Sequence, residues 1–415
     1  MIFIRKTNIS KEYHVVKIKK ETVLKSAEFL FSTKGFNETT VADIARESGI
    51  PEPSIYSYFG NKRNILFAIY GAYLQNATDT LNEHFQGMKE PGPKLRKSIW
   101  HYLADLKNNP NYGRILLMAQ RESPEFYASE YLSHLKKYSS LVTECVAAGQ
   151  KEGLFRSDVS PRLIKNMAMG ASVFTAIDSI VHGRPYDSNE TSDVIYQLVL
   201  NAVGVETQVV EKNNKILRNE RTEFRRNQII ENAVRIFADK GFSNATISEI
   251  AKQADLGDAT LYEYFENKEA ILLETAEAHL RNLVSGDDLQ LRSLSEPEKD
   301  LRKLIWRFIW QLYTLENFSR MLVLELFRNI NFYSSPGYKH LLVFFGEIQK
   351  VIERGQKEGV FNHDVPYLTY FHMITGTFDQ FLLSQFLLKR PPLGLSELNN
   401  TVDALVRAIK VKQSP

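Results

Sequence analysis

TVADIARESGIPEPSIYSYFGNK, residues Thr40–Lys62, decides how the rest of the chain is read. It returns in altered form as TISEIAKQADLGDATLYEYFENK, Thr246–Lys268. Each copy reads as a short helix, a tight turn and a second short helix ending in an aromatic cluster. The first helix opens on a capping box, Thr40 with Asp43 and Thr246 with Glu249, in which hydroxyl and carboxylate satisfy each other's end of the first turn. The turn falls at Gly49 in one copy and at Asp255-Leu256-Gly257 in the other. The following helix runs to Phe59 or Phe265, and Asn61 and Asn267 then cap a longer helix.

An offset of 206 residues carries this match along nearly the whole chain. Val23, Leu24, Ala27, Leu30 and Phe31 return as Ile229, Ile230, Ala233, Ile236 and Phe237. Lys34-Gly35-Phe36 returns as Lys240-Gly241-Phe242, and GQKEGLF at 149–155 as GQKEGVF at 355–361. Solenoid repeats run at about 20–50 residues, so this period marks a duplicated domain.

With 415 residues, 43% of them apolar, the chain is long enough for two or more buried cores. It contains no run of 18 apolar residues and no secretory leader pattern, which argues against a membrane span and for a cytoplasmic protein. One cysteine, Cys145 in LVTECVAA, excludes an intrachain disulfide and reads as a small buried apolar residue. The net charge of +3 is uneven. Residues 1–71 carry 11 basic and 7 acidic groups, residues 207–277 carry 10 and 13.

Residues 1–19 read as a basic arm, followed by a helix from about Lys20 to Lys34 with one apolar stripe at 23, 24, 27, 30 and 31. Gly35 and Gly241 stand where a left-handed residue stops a helix. Beyond residue 85 the apolar stripes remain helical and no period-2 strand is found, so the fold class is all-α. Residues 206–222 are polar and read as a linker. The boundaries expected are 20–66 and 223–272 for the two helix-turn-helix domains, with cores over 67–205 and 273–415.

A helix-turn-helix lays its second helix in the major groove. Ile44, Ala45, Ile50, Ile55 and Phe59 supply the inner side, leaving Glu52, Ser54, Tyr56, Ser57 and Tyr58 facing outward. Lys62 and Lys268 sit in the first turn of the next helix, where the macrodipole disfavours a cation. A phosphate arriving at that helix N-terminus would resolve the conflict; the other reading is a solvated lysine.

The segments KGFNETTVADIARESGIPEPSIYSYFGNKRNIL and KGFSNATISEIAKQADLGDATLYEYFENKEAIL resemble the DNA-binding signature of the TetR/AcrR family of bacterial transcriptional regulators. The shared pattern is KGF, then T-[VI]-x-x-IA, then [IL]-Y-x-YF-x-NK. The resemblance implies two tandem units, each with three DNA-binding helices and a helical ligand-binding and dimerisation core. The family acts as homodimers, so here both protomers are fused into an intramolecular pseudo-dimer. It implies double-stranded operator DNA and a small-molecule effector as partners, repression as the output, and no cofactor. Phosphate contacts are implied for Thr40, Tyr56 and Lys62 and for Thr246, Tyr262 and Lys268. Base-facing positions are Glu52, Pro53, Ser54 and Tyr58, with Asp258, Ala259, Thr260 and Tyr264 in the second copy. Carboxylates at Glu52 and Asp258 depart from the usual pattern; such a group accepts from a cytosine amino group but repels phosphate.

The resemblance also implies a four-helix bundle between the copies. Met167, Ala171, Phe174 and Ile177 with Ile195, Leu198, Val199 and Ala202 would face Ile374, Phe378, Phe381 and Leu382 with Leu398, Val402, Leu405 and Ile409. Pocket candidates repeated at the same offset are Trp100/Trp306, Arg114/Arg320, Phe126/Phe332, Tyr127/Tyr333 and His134/His340. ILLMAQRESPEFY and MLVLELFRNINFY are similar to the acyl-CoA-responsive branch of the family, which implies a lipid-like or acyl-CoA effector.

A second reading follows from five acids against one lysine between Asp255 and Glu269: a ligand-sensing or scaffold protein whose second helix-turn-helix no longer binds DNA. An enzyme is disfavoured, because the histidines form no HExxH metal pair and neither a Gly-rich phosphate loop nor GxSxG occurs. No catalytic or metal-ligating residues are assigned.

Overall fold

The computed structural model describes residues 2–121, 126, 129–203, 224–257, 261–262, 264–284 and 296–411. The expected linker lies outside the described residues. Among those described, the structure is helical and its only β pairing is an isolated bridge between Phe361 and Lys410. Packing divides the chain into two compact units, residues 1–89 with 101–142, and residues 90–100 with 143–415. This division follows side-chain packing and not the repeat, because the last helices of the first copy pack on the second.

The first unit begins with α1 (Ile2–Thr33), α2 (Val41–Ser48), α3 (Glu52–Phe59) and α4 (Lys62–Phe85). Helix α1 starts at Ile2 and not near Lys20, so the expected arm is helical; no glycine or proline interrupts residues 2–33 to prevent it. Val23, Ala27 and Phe31 of its stripe are fully buried, while Leu24 and Leu30 are half-buried. Helices α5 (Pro91–Asn108) and α7 (Leu132–Lys151) are divided between the units, and α6 (Pro110–Arg121) packs against α1 and α4 in the first.

The second unit holds α8 (Pro161–His182), α9 (Ser188–Val203), α10 (Phe224–Lys240), α11 (Ile247–Gln253) and α12 (Lys268–Val284). There follow α13 (Pro297–Thr314), α14 (Glu316–Met321), a π-helix (Leu322–Leu326), a 3-10 turn (Ile330–Ser334), α15 (Pro336–Lys357), α16 (Tyr367–Leu388) and α17 (Leu395–Arg407). All five stripe residues of α10 are buried.

Helices α8 and α16, equivalent in the repeat, cross with Gly170 against Gly376. A Cβ on Gly170 would lie 2.3 Å from the Gly376 carbonyl carbon, and one on Gly376 2.2 Å from that of Gly170. Only glycine permits this approach. Next to the crossing, Asn201 Nδ2 donates to Ala408 O at 3.2 Å and Arg407 Nε donates to Ala202 O at 3.1 Å. Asn201 and Arg407 are equivalent positions, as are Ala202 and Ala408, so the contact is reciprocal, as in an isologous interface. The expected bundle residues are buried here except Leu382, which is half-buried. Cys145 is buried too, and burial pushes its thiol up to about 11, which leaves it inert at neutral pH.

Candidate nucleic-acid interface and effector site

Both capping boxes form. Asp43 N donates to Thr40 Oγ1 and Thr40 N to Asp43 Oδ2, each at 3.0 Å; the Thr246–Glu249 pair does the same at 3.2 and 3.1 Å. The lysine of each Lys-Gly-Phe joins in, Lys34 Nζ to Asp43 at 2.6 Å and Lys240 Nζ to Glu249 at 2.5 Å. The first helix is thereby tied to the start of the second. The Lys34 hydrogen bond, then those from Thr40, hold the Asp43 carboxyl well below the usual carboxylate range.

Ile44 and Ile55 are buried between α2 and its neighbours, which turns the other face of α3 outward. Glu52, Pro53 and Tyr56 are exposed on that face, Tyr56 at 48%, while Ser54 and Tyr58 are half-buried. Tyr58 meets Phe59 edge-on at 6.4 Å, with Lys20 Nζ 5.9 Å from its ring centre. In the second copy Thr246 is exposed, Tyr262 is 55% exposed and Tyr264 half-buried. Asp258, Ala259 and Thr260 lie outside the described residues. The turn closes through Gly49 at φ 66° in one copy and through Asp255 at φ 61° in the other, a left-handed conformation that strains a residue with a Cβ.

The two lysines have partners in the loop that follows the first helix. Lys62 Nζ donates to the carbonyls of Phe36, Asn37 and Thr39 at 2.7, 3.2 and 2.8 Å and lies 4.4 Å from the Phe36 ring centre. Lys268 repeats this on Phe242, Ser243 and Ala245 at 2.7, 3.5 and 2.8 Å. An ammonium has three donors, so in this conformation the loop carbonyls satisfy both lysines and no phosphate is needed. They clamp the loop after the first helix to the start of the fourth. Burial lowers the Lys268 ammonium, and the Glu325 carboxylate opposes this.

Among the described residues, the expected effector residues are spread over both units. In the first unit Phe126 is fully buried, 5.4 Å from Phe67 and 5.1 Å from Tyr70. Arg114 Nη1 donates to Ser32 O at 3.1 Å, and His134 Nδ1 bonds Gln75 at 3.0 Å. Tyr127 lies outside the described residues. In the second unit Lys97 sits 3.5 Å over Trp100, Trp306 stacks on Trp310, Arg320 lies 5.7 Å over Phe386, and His340 is half-buried on α15. Phe332 is buried beside Tyr338.

Tyr333 lines a cavity, donating its hydroxyl to Phe327 O at 2.7 Å. The cavity lies between α8 on one side and Phe327, α15 and α16 on the other. Its interior of about 20 Å³ suits a single water, which needs roughly 10–15 Å³. Its polar groups are His182, Asp178, Tyr338, His372 and Thr375. Beside it, His372 Nδ1 bonds Thr175 at 3.1 Å and Asp178 pairs with Arg184 at 3.0 Å. Burial, then the Arg184 and His182 charges, pulls the His372 imidazole down to about 3. Sequence reasoning missed these residues because they come from both copies. Their signal was a break in the repeat, since Asp178, His182 and His372 correspond to Ser384, Leu388 and Asn166.

The second helix-turn-helix is also fastened to this core. Glu325 Oε1, on the π-helix, accepts the Phe242 amide at 3.1 Å and its carboxylate pairs with Arg328. Asn329 and Asn331 donate to Glu269 Oε1 at 3.0 and 2.9 Å.

Two helix-turn-helix modules, the first with an exposed recognition face, each followed by a helical core, define a DNA-binding regulator. The chain matches the family model described as bacterial regulatory proteins, tetR family, twice, over residues 23–69 and 229–275. It matches the YsiA-like protein C-terminal region over 71–202. The chain belongs to the TetR family of transcriptional regulators. It is 29% identical over 164 residues to the HTH-type transcriptional repressor NicS of Pseudomonas putida, covering 39% of this chain and 76% of that protein. It is 26% identical over 181 residues to the fatty acid metabolism regulator protein of Bacillus subtilis, covering 44% and 93%. Among solved structures, the Bacillus subtilis regulator FadR in complex with stearoyl-CoA is similar at 20% identity and a TM-score of 0.41, over 43% of this chain and 97% of that one.

Proposed function

We propose that the chain is a repressor that grips operator DNA as an intramolecular pseudo-dimer, one half-site per helix-turn-helix, and releases it when an effector binds the core. The reciprocal Asn201/Arg407 contact beside the glycine crossing carries this reading, because it is the arrangement two identical protomers would make. Fusion makes that contact intramolecular, at an effective concentration of about millimolar. Thr40, Tyr56, Thr246 and Tyr262 meet phosphates, while Glu52, Pro53, Ser54 and Tyr58, with Asp258, Thr260 and Tyr264, face bases. Lys62 and Lys268 hold the loops that present them. The protein works in the cytoplasm, where operator DNA lies.

The effector is lipid-like or an acyl-CoA, in keeping with the fatty acid regulator among the relatives. The cavity shared by α8 and α16, at about 20 Å³, is too small for such a ligand. Phe327 directly follows the π-helix that carries Glu325, and Glu325 holds the second helix-turn-helix by the Phe242 amide.

Fluorescence anisotropy with duplexes from the region upstream of its own gene, across salt concentrations, tests the reading. Two half-sites lost together on adding an acyl-CoA support it; absence of salt-dependent binding overturns it. The acidic stretch 255–269 favours a second reading, in which only the first helix-turn-helix binds DNA. A footprint over one half-site would establish that form.

A further inference from the structure

The α8–α16 crossing creates two equivalent places, one on each side of Gly170 and Gly376, and the sequence fills them differently. On the side of the cavity Asp178 pairs with Arg184 and His372 with Thr175. On the other side neither pair is kept. Arg184 becomes Arg390, but Asp178 becomes Ser384, whose hydroxyl donates to Gln380 O at 2.9 Å. His372 becomes Asn166, and its partner Thr175 becomes Phe381.

Asn166 is 1% exposed, and neither Oδ1 nor Nδ2 has a hydrogen-bond partner. A buried amide with neither hydrogen bond made bears its full desolvation cost, so this position calls for a polar occupant. One turn earlier, Arg162 stacks its guanidinium 4.9 Å over Phe381 and leaves its buried Nε without a partner. Cations have also been added: Arg162 and Lys165 stand where the other side has Leu368 and Phe371. Burial, then the charges of Arg390 and Arg162, pulls the Lys165 ammonium down to about 8. Among the described residues, the acid acting on Arg162 is Glu397, whose Oε2 is engaged with the Gly394 amide at 3.0 Å at the start of α17.

We infer that Arg162, Lys165, Asn166 and Arg390 form an anion-recognition site, taking the carboxylate or phosphate head group of the effector, and that the equivalent place on the cavity side does not. The anion would meet the unpartnered Arg162 Nε and Asn166 Nδ2, and its charge would offset the cations that Arg162 and Arg390 bring there. The site deepens the effector reading above and rests on it for the ligand's role, but anion binding is measurable without DNA.

The test is calorimetric titration of the full chain, in phosphate-free buffer, with palmitate, coenzyme A and palmitoyl-CoA in turn. The expected result is one site per chain for at least one of them. Palmitate alone assigns a carboxylate, coenzyme A alone a phosphate. Arg162→Gln, Asn166→Leu and Arg390→Gln are each expected to weaken binding about tenfold or more, and Asp178→Asn by less than twofold. Arg390 is exposed, so its substitution reports on the ligand even if the buried variants fail to fold. No binding by any of the three compounds overturns the inference, as do two equal sites or an Arg390→Gln affinity within twofold of the parent. Operator affinity on the same samples separates the two claims. Anion binding that leaves it unchanged keeps the site and removes the effector role; operator binding without any anion binding removes the site and leaves the DNA-binding reading standing.

Discussion

Gly170 and Gly376 occupy equivalent positions in the two copies and touch each other, backbone to backbone. A residue that meets its own equivalent must lie on the axis relating the two copies. Any side chain at either position forces the helices apart. Gly170→Ala and Gly376→Ala are each expected to destabilise the second unit by about 2–3 kcal/mol, the cost of overpacking where only backbone can give way. Urea unfolding measures the loss, and the double variant should lose less than the sum, because one displacement relieves both clashes.

Lys62→Met and Lys268→Met separate a structural clamp from a phosphate ligand. A clamp predicts a loss of about 2 kcal/mol in stability, the scale of a charged hydrogen bond, and weaker operator binding with an unchanged slope of log K against log salt. A phosphate contact would reduce that slope by about one.

Asp255 pays for a left-handed turn that Gly49 makes freely. Asp255→Gly should stabilise the second helix-turn-helix by up to about 1 kcal/mol and Gly49→Ala should destabilise the first by a similar amount, both read by thermal unfolding.

His372 sets a pH dependence. Its folded-state pKa of about 3 lies below its ordinary 6.5, so between these values the unfolded chain binds more protons than the folded one. Stability therefore rises with pH through that window and is lost as pH falls from about 6.5 toward 3, by at most about 1.4 kcal/mol per unit. Denaturation at pH 7 and 5 tests the sign; His372→Gln should flatten the slope.

Glu325→Ala removes the carboxylate that accepts the Phe242 amide. Hydrogen exchange should speed up at Phe242, and added palmitoyl-CoA should shift operator affinity less than in the parent protein. An undiminished shift would place the coupling elsewhere.

Much of the DNA-binding module was legible before any coordinates. The capping boxes, the stripe along the first helix and the outward face of α3 depend on residues within a few turns of one another, and spacing alone reports such relations. The partners of the two lysines were not legible, because they are carbonyls some 23–26 residues earlier, which have no side-chain signature. The pocket candidates are scattered for a related reason. Identity at the 206-residue offset records common descent, whereas the polar groups at the α8–α16 interface lie where the repeat breaks.

By itself the sequence determined that this is a duplicated all-helical regulator, because helix periodicity, caps and turn residues act over short stretches of chain. Only the tertiary structure decided that the glycines meet, that Glu325 fastens the second helix-turn-helix, and that Asn166 is buried without a partner while His372 has one. Those facts depend on groups as much as about 200 residues apart, and chain spacing does not encode such distances until the two copies fold against each other.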